Sequence, residues 1–237
     1  MARYLLVHGC GRSGRGPGDD ETALRTINVG LRGAGSTTIP PGDFAGVRVA
    51  DVFTAPSQAR WAQALPYQVL RQAYHFVTDA SRRVRATEAV AGAITRDTRI
   101  LIAHSLGSVA AYDALCLLPR HHVTHFLTLG SPLAMPHLVR GRVTAFTAFG
   151  RYAWPRSLAR WINFFDARDP IARWALRRRF GDGTRIEDRR IRLVVGGPHR
   201  LLAYLASQEV ISSLAEASRS TQTATTSGGH NDVRTPG

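Results

Sequence analysis

The sequence predicts an α/β protein in which a mostly parallel sheet is covered by helices on both faces. Short apolar runs typical of buried strands alternate along the chain with segments whose apolar residues recur at helical spacing. Gly and Pro residues separate the two kinds of segment. The length of 237 residues fits a single domain of this class. In such a sheet, functional side chains gather at the carboxyl ends of the strands.

The elements follow from these patterns in chain order. We expect strands at residues 3–8, 47–53, 99–103, 123–129, 161–165 and 191–195. Helices are expected within 57–95, with a break at Pro66, and at 106–118 and 201–217. Residues 133–155 are rich in aromatic side chains and are a candidate lid. We expect one domain over residues 1–217 and a disordered, Ser- and Thr-rich tail over 218–237.

The chain has a net charge of +14, and all 31 of its basic residues are arginine. A coding bias toward arginine produces this composition without selection for a polyanionic partner, so we expect no nucleic acid. A membrane surface or an acidic partner remains open through two arginine clusters. Solvated helix faces also explain both clusters, which are Arg82, Arg83, Arg85 and Arg173, Arg177, Arg178, Arg179.

Compartment signals point to a soluble cytoplasmic protein. Cys10 and Cys116 lie far apart and do not form the framework of a disulfide-rich secreted domain. The N-terminal apolar run from Tyr4 to Val7 is too short for a signal-peptide core or a membrane span.

The strongest chemical signal is the run from Ile100 to Ala110, Ile-Leu-Ile-Ala-His-Ser-Leu-Gly-Ser-Val-Ala, in which a buried strand passes through Ser105 into a helix. A serine hydroxyl is a weak nucleophile and needs a fixed, exposed position beside a base, which a sharp strand-to-helix turn supplies. The run resembles the nucleophile elbow of the α/β-hydrolase superfamily, Gly-x-Ser-x-Gly, with Ala103 in place of the first glycine. The resemblance extends over most of the chain and implies a lipase- or esterase-like serine hydrolase.

The first strand ends in His8-Gly9, which resembles the His-Gly pair after an early strand in lipases and esterases. The resemblance implies an oxyanion hole made by the backbone N–H groups of Cys10 and Leu106. It also implies that His8, Gly9, His104 and Ser131 line the substrate site.

The family order of serine, acid and histidine selects the remaining catalytic candidates. His199 follows the last predicted strand and is the expected base. Asp169, in the turn before Pro170, is the expected acid, and Asp166 is the reserve candidate. The acid is expected to orient the imidazole of His199 and to stabilise its positive charge as it takes the proton of Ser105.

The resemblance therefore implies hydrolysis of a small-molecule carboxylic ester or thioester through an acyl-enzyme. No cofactor is expected, and no metal, because the group His121, His122, His125 lacks carboxylate or thiol ligands at suitable spacing. The alternative is a non-catalytic module with the same fold that holds an acidic partner through its arginine clusters. Lipid, ester and thioester substrates all remain open.

Overall fold

The computed structural model describes residues 2–9, 18–49, 79–135, 153–177, 180, 185–194 and 196–227. Its strands are β1 Tyr4–His8, β2 Phe44–Arg48, β3 Ile100–His104, β4 His125–Leu129, β5 Arg160–Asp166 and β6 Ile186–Ile191. Its helices are α1 Asp19–Gly33, α2 Ala80–Ala93, α3 Leu106–Leu117, α4 Leu201–Leu205 and α5 Gln208–Ser227. Short 3-10 turns cover Pro41–Asp43 and Pro132–Ala134.

The six strands form one sheet in the order β2-β1-β3-β4-β5-β6, and every neighbouring pair is parallel. The register sets Ala103 beside both Val7 of β1 and Thr128 of β4. All carboxyl ends therefore meet at one edge. The predicted parallel α/β architecture is confirmed.

Alternate side chains of each strand enter two separate cores, because successive residues of a strand point to opposite faces. Leu5 and Val7 join one core together with α2 and α3. Tyr4 and Leu6 join the other together with α1, α4 and α5. Helices thus cover both faces of the sheet, as the sequence predicts.

The sequence prediction missed α1 entirely. The helix has three acidic residues in its first turn, where they favour the helix dipole, and four buried apolar residues. Its interior Gly30 obscures the helical pattern, yet it serves packing. A Cβ on Gly30 would lie 2.5 Å from Cγ1 of Ile211, so the glycine lets α1 approach α5 closely.

Two predicted strands are displaced along the chain. The strand expected at 47–53 is Phe44–Arg48, paired residue by residue with β1, and residues 50–53 lie outside the described part. The strand expected at 191–195 is Ile186–Ile191. An edge strand has one paired neighbour only, so it tolerates the charged run Glu187 to Arg190, which does not look like a buried strand.

The single closing helix expected at 201–217 is two helices, and the second extends to Ser227. Residues 218–227 are therefore helical, and the prediction of disorder from residue 218 is wrong for them. Polar side chains within residues 218–223 have specific partners. Tyr4 donates a 2.8 Å hydrogen bond to Ser218, and Ser220 lies 3.2 Å from Nε2 of His125. Residues 228–237 lie outside the described part.

Within the described ranges, no helix combines the length and apolar character needed to cross a bilayer. The cytoplasmic location stays a prediction.

Candidate active site

Ser105 occupies a strained turn between β3 and α3. Its backbone angles are φ 53° and ψ −131°, a region that L-residues seldom adopt. The turn is tight because backbone from β1 passes beside it. A Cβ on Gly107 would lie 2.7 Å from the carbonyl oxygen of Val7. The structure therefore has the sharp strand-to-helix turn that the sequence predicts.

A continuous chain of hydrogen bonds joins Ser105, His199 and Asp169. The Oγ atom of Ser105 lies 2.9 Å from Nε2 of His199. Nδ1 of the same ring lies 2.7 Å from Oδ2 of Asp169. The structure thus brings together three side chains that sequence reasoning selected, and each lies in a segment that follows a strand.

The carboxylate of Asp169 is fully buried and accepts several hydrogen bonds. Its Oδ1 accepts from the backbone N–H of Ile171 at 2.8 Å and of Ala172 at 3.2 Å. Its Oδ2 faces His199. Donors on both oxygens fix the orientation of the carboxylate.

The reserve acid Asp166 has a different set of partners. Its two oxygens accept from Arg168, at 3.0 Å from Nε and 2.6 Å from the terminal nitrogen, and from the N–H of Leu193 at 2.9 Å. Arg168 also donates to the carbonyl of Leu193. The hydrogen bonds from Arg168 lower the pKa of Asp166 to about 2. Asp166 therefore ties the end of β5 to the segment after β6 that leads to His199.

Of the two predicted oxyanion-hole donors, the structure describes Leu106. Leu106 begins α3, and the first N–H groups of a helix have no partner within the helix. A Cβ on Gly9 would lie 2.7 Å from both the carbonyl oxygen of His104 and Cβ of Ser105, and 3.2 Å from the nitrogen of Leu106. Gly9 thus leaves room beside Ser105. Cys10, the second predicted donor, lies outside the described residues.

His8 is engaged by an acidic side chain of α1. Its Nε2 lies 2.6 Å from Oδ1 of Asp20, and that oxygen is 3.9 Å from Arg48. Burial lowers the pKa of His8, and hydrogen bonding to Asp20 opposes the shift. This bond joins the two ends of the segment 9–19, which contains the predicted oxyanion residue. Substrate contact by His8 stays a prediction.

His104 and Ser131, the other predicted lining residues, are both buried. The ring of His104 lies 5.1 Å from that of His199, centroid to centroid. Burial lowers the pKa of His104 well below its usual value, with repulsion from His199 next in importance. The hydroxyl of Ser131 lies 2.7 Å from that of Ser108 and accepts from the N–H of Leu133. Through Ser108, Ser131 contacts the helix that follows the turn at Ser105. Substrate contact by His104 or by Ser131 stays a prediction.

Sequence reasoning missed Tyr204. The hydroxyl of Tyr204 donates a 3.0 Å hydrogen bond to Oδ2 of Asp169. Gly130 has φ 57°, and a Cβ there would lie 3.2 Å from the same oxygen. One signal was present, since a phenol within an otherwise apolar helical run needs a buried polar partner.

The other sequence-derived candidates fall outside this edge or the described part. Residues 136–152 of the candidate lid are not described, and Trp154 at its end packs against Trp161 of the core. Among the arginine clusters, Arg82 pairs with Asp79 at 2.9 Å, and Arg178 and Arg179 are not described. In the described ranges, no three potential metal ligands converge.

A cavity of about 260 Å³ lies at the opposite edge of the sheet, beside the amino end of β1. Its lining includes Arg3, Tyr4, Thr38, Ser218 and Arg219. None of these residues lies at the Ser105 site, so this cavity is separate from the candidate active site.

Comparison with known proteins finds no matching family model and no matching curated protein. Solved structures do match. A hydrolase of the alpha/beta superfamily from Xanthomonas campestris pv. campestris has 17% identity and a TM-score of 0.42, covering 93% of this chain and 99% of that one. An esterase domain from Rhodothermus marinus has 15% identity and a TM-score of 0.42, with coverages of 92% and 86%. The RedJ thioesterase of the prodiginine biosynthetic pathway in Streptomyces coelicolor has 18% identity and a TM-score of 0.46, with coverages of 91% and 86%.

The chain's own architecture defines its class. An all-parallel sheet with helices on both faces presents a serine on a sharp turn after β3 and an acid and a histidine after later strands. This is the α/β-hydrolase fold that the sequence predicts.

Proposed function

We propose that this protein is a serine hydrolase that cleaves a small-molecule carboxylic ester or thioester through an acyl-enzyme on Ser105. The observation that carries the proposal is the unbroken chain of contacts from Ser105 Oγ through His199 to Asp169, at 2.9 Å and 2.7 Å. Both distances are within hydrogen-bond range, so the base can take the hydroxyl proton without rearrangement.

In the first half of the reaction, Nε2 of His199 accepts the proton of Ser105 while Oγ bonds to the substrate carbonyl carbon. Asp169 keeps Nδ1 protonated and stabilises the imidazolium. The backbone N–H of Leu106 stabilises the developing oxyanion, and the family resemblance assigns the second donor to Cys10. His199 then returns its proton to the leaving alcohol or thiol, and the bond to the leaving group breaks.

In the second half, water takes the place of the leaving group. His199 removes a proton from the water as its oxygen attacks the acyl carbon, and returns that proton to Oγ of Ser105 as the acyl bond breaks. The products are a carboxylic acid and the free enzyme. The proton transfers involve only Ser105, His199, the leaving group and water, so the proposed steps require no cofactor.

Turnover of a panel of activated esters and acyl thioesters, of increasing acyl length, tests this function. The wild-type chain is expected to release acid, and Ser105→Ala should lose at least about 10³-fold in kcat. Ser212→Ala is the matched control, because Ser212 is an exposed serine on α5. Equal turnover by Ser105→Ala and wild type would contradict the proposal.

Absence of turnover across the panel, together with salt-sensitive binding to anionic vesicles, would instead support the non-catalytic module. The wild-type chain is the sample in both measurements, so one preparation separates the two functions.

A further inference from the structure

Oδ2 of Asp169 is shared between two donors. Nδ1 of His199 lies 2.7 Å from it, and the hydroxyl of Tyr204 lies 3.0 Å from it. Both Asp169 and Tyr204 have no exposed surface. Water is therefore not an alternative partner for this carboxylate oxygen or for the phenol.

The direction of the phenol hydrogen bond follows from its neighbours. The backbone N–H of Asp166 donates to the hydroxyl oxygen of Tyr204 over 3.4 Å. A phenol has one proton, and the backbone N–H can only donate, so that proton is directed to Asp169. Burial raises the pKa of Tyr204, followed by the nearby charge of Asp169, which keeps the phenol protonated.

Packing holds the pair in this arrangement. Gly130 follows β4 with φ 57°, and a Cβ there would lie 3.1 Å from Cε2 of Tyr204 and 3.2 Å from Oδ2 of Asp169. The ring of Tyr204 also lies 6.0 Å from that of His104, centroid to centroid. The phenol is thus enclosed on the same side as the catalytic groups.

We propose that Tyr204 is a positioning residue that sets how strongly Asp169 holds the imidazole of His199. This inference rests on the proposed function. By donating to Oδ2, the phenol takes part of the negative charge that would otherwise act on Nδ1 of His199 alone. The imidazole then releases its proton more readily to the leaving group, and the carboxylate keeps one orientation.

Tyr204→Phe removes the donor and keeps the ring. The pH dependence of the rate at which a fluorophosphonate labels Ser105 should then shift, with the midpoint of its acid limb about 0.5 pH unit higher. The physical reason is that undivided carboxylate charge favours the protonated imidazole. Tyr4→Phe is the matched control, because it also removes a buried phenol donor, to Ser218, at the opposite edge.

A second measurement does not depend on activity. The low-field proton resonance of the His199 Nδ1–H should move further downfield in Tyr204→Phe, because its hydrogen bond to Asp169 strengthens. Replacing all six tyrosines with the more acidic 3-fluorotyrosine should move the labelling midpoint to lower pH. That shift should persist in the Tyr4→Phe background and vanish in the Tyr204→Phe background. An unshifted midpoint in the fluorinated wild-type chain contradicts the proposal even if Tyr204→Phe is poorly stable.

An unchanged midpoint and an unchanged resonance in Tyr204→Phe would overturn the proposal, as would equal shifts in Tyr4→Phe. A purely structural role would lower the melting temperature without moving either signal. If the wild-type chain is not labelled at Ser105, the proposed function fails, and the proton resonance still decides whether Tyr204 acts on His199.

Discussion

The hydroxyl oxygen of Ser105 lies 2.9 Å from Nε2 of His199, although 94 residues separate the two in sequence. Parallel strands produce this convergence, because β3 and β6 end at the same edge and the segments that follow them turn toward each other.

Removal of the imidazole should stop catalysis and leave the fold intact. His199→Ala is expected to lower kcat for an activated ester by about 10³-fold or more. Three other donors still satisfy Asp169, so the melting temperature should change little. His122→Ala, at an exposed histidine, is the control for steady-state kinetics and calorimetry. A loss of only a few fold in His199→Ala would assign the base to another residue.

The two aspartates should separate by phenotype. Asp169→Asn is expected to lower kcat by about 10⁴-fold, because an amide cannot charge-balance the imidazolium and favours the wrong tautomer. Asp166→Asn should mainly lower the melting temperature, because it breaks the paired bonds from Arg168. Kinetics and thermal unfolding of both variants check this, and the reverse pattern would make Asp166 the acid.

Low pH should destabilise the fold through protonation of Asp166. Its pKa is lowered to about 2 from 3.8, so its contribution to stability is present above pH 3.8 and is lost as the pH falls toward 2. Asp166→Asn should therefore flatten the fall in unfolding free energy between pH 4 and pH 2. Urea titrations at each pH measure the unfolding free energy. Parallel curves of this free energy against pH for wild type and variant would contradict the prediction.

The space beside Ser105 should not accept a side chain at residue 9. Gly9→Ala places a Cβ 2.7 Å from the carbonyl oxygen of His104 and from Cβ of Ser105. Since a backbone oxygen cannot yield easily, we expect a loss of about 1–3 kcal/mol in unfolding free energy, together with lost activity. Gly92→Ala on α2 is the control, because nothing lies within 4 Å of its Cβ. Equal activity in Gly9→Ala and wild type would place the reacting groups elsewhere.

Buried histidines should also make stability depend on pH near neutrality. Burial lowers the pKa values of His8, His104, His121 and His125 below 6.5. Below pH 6.5 the unfolded chain binds more protons, so their contribution is complete above that pH and is lost as the pH falls. Each contributes a slope of at most about 1.4 kcal/mol per pH unit.

Denaturant unfolding between pH 7.5 and 5 measures this dependence. His104→Gln should make the curve less steep, because it removes one of the titrating groups, and Ser212→Ala should leave the curve unchanged. A wild-type stability that stays flat to pH 5 would contradict the expected linkage.

The central elements could be predicted from the sequence because their signals are local. The run around Ser105 contains an apolar strand, small residues at the turn and an apolar helix within eleven residues. β6 was misplaced and α1 was missed because their stability comes from tertiary contacts. The charged β6 pairs with β5 through Arg160 and Glu187, and α1 depends on the close contact of Gly30 with Ile211.

The site was predictable only in part for the same reason. The family order of motifs selects Ser105, Asp169 and His199, but it does not reveal the partners of each carboxylate. Arg168 lies two residues after Asp166 and one residue before Asp169, so only the coordinates show that it contacts Asp166. Tyr204 acts across 35 residues of sequence, a distance at which no local pattern exists.

The most direct test of the acyl-enzyme mechanism is peptide mapping after reaction with a fluorophosphonate probe. The account predicts one phosphonylated peptide, with the modification on Ser105, and loss of that label in His199→Ala under the same conditions. Modification of a different serine, or equal labelling of Ser105 with and without the imidazole, would contradict it.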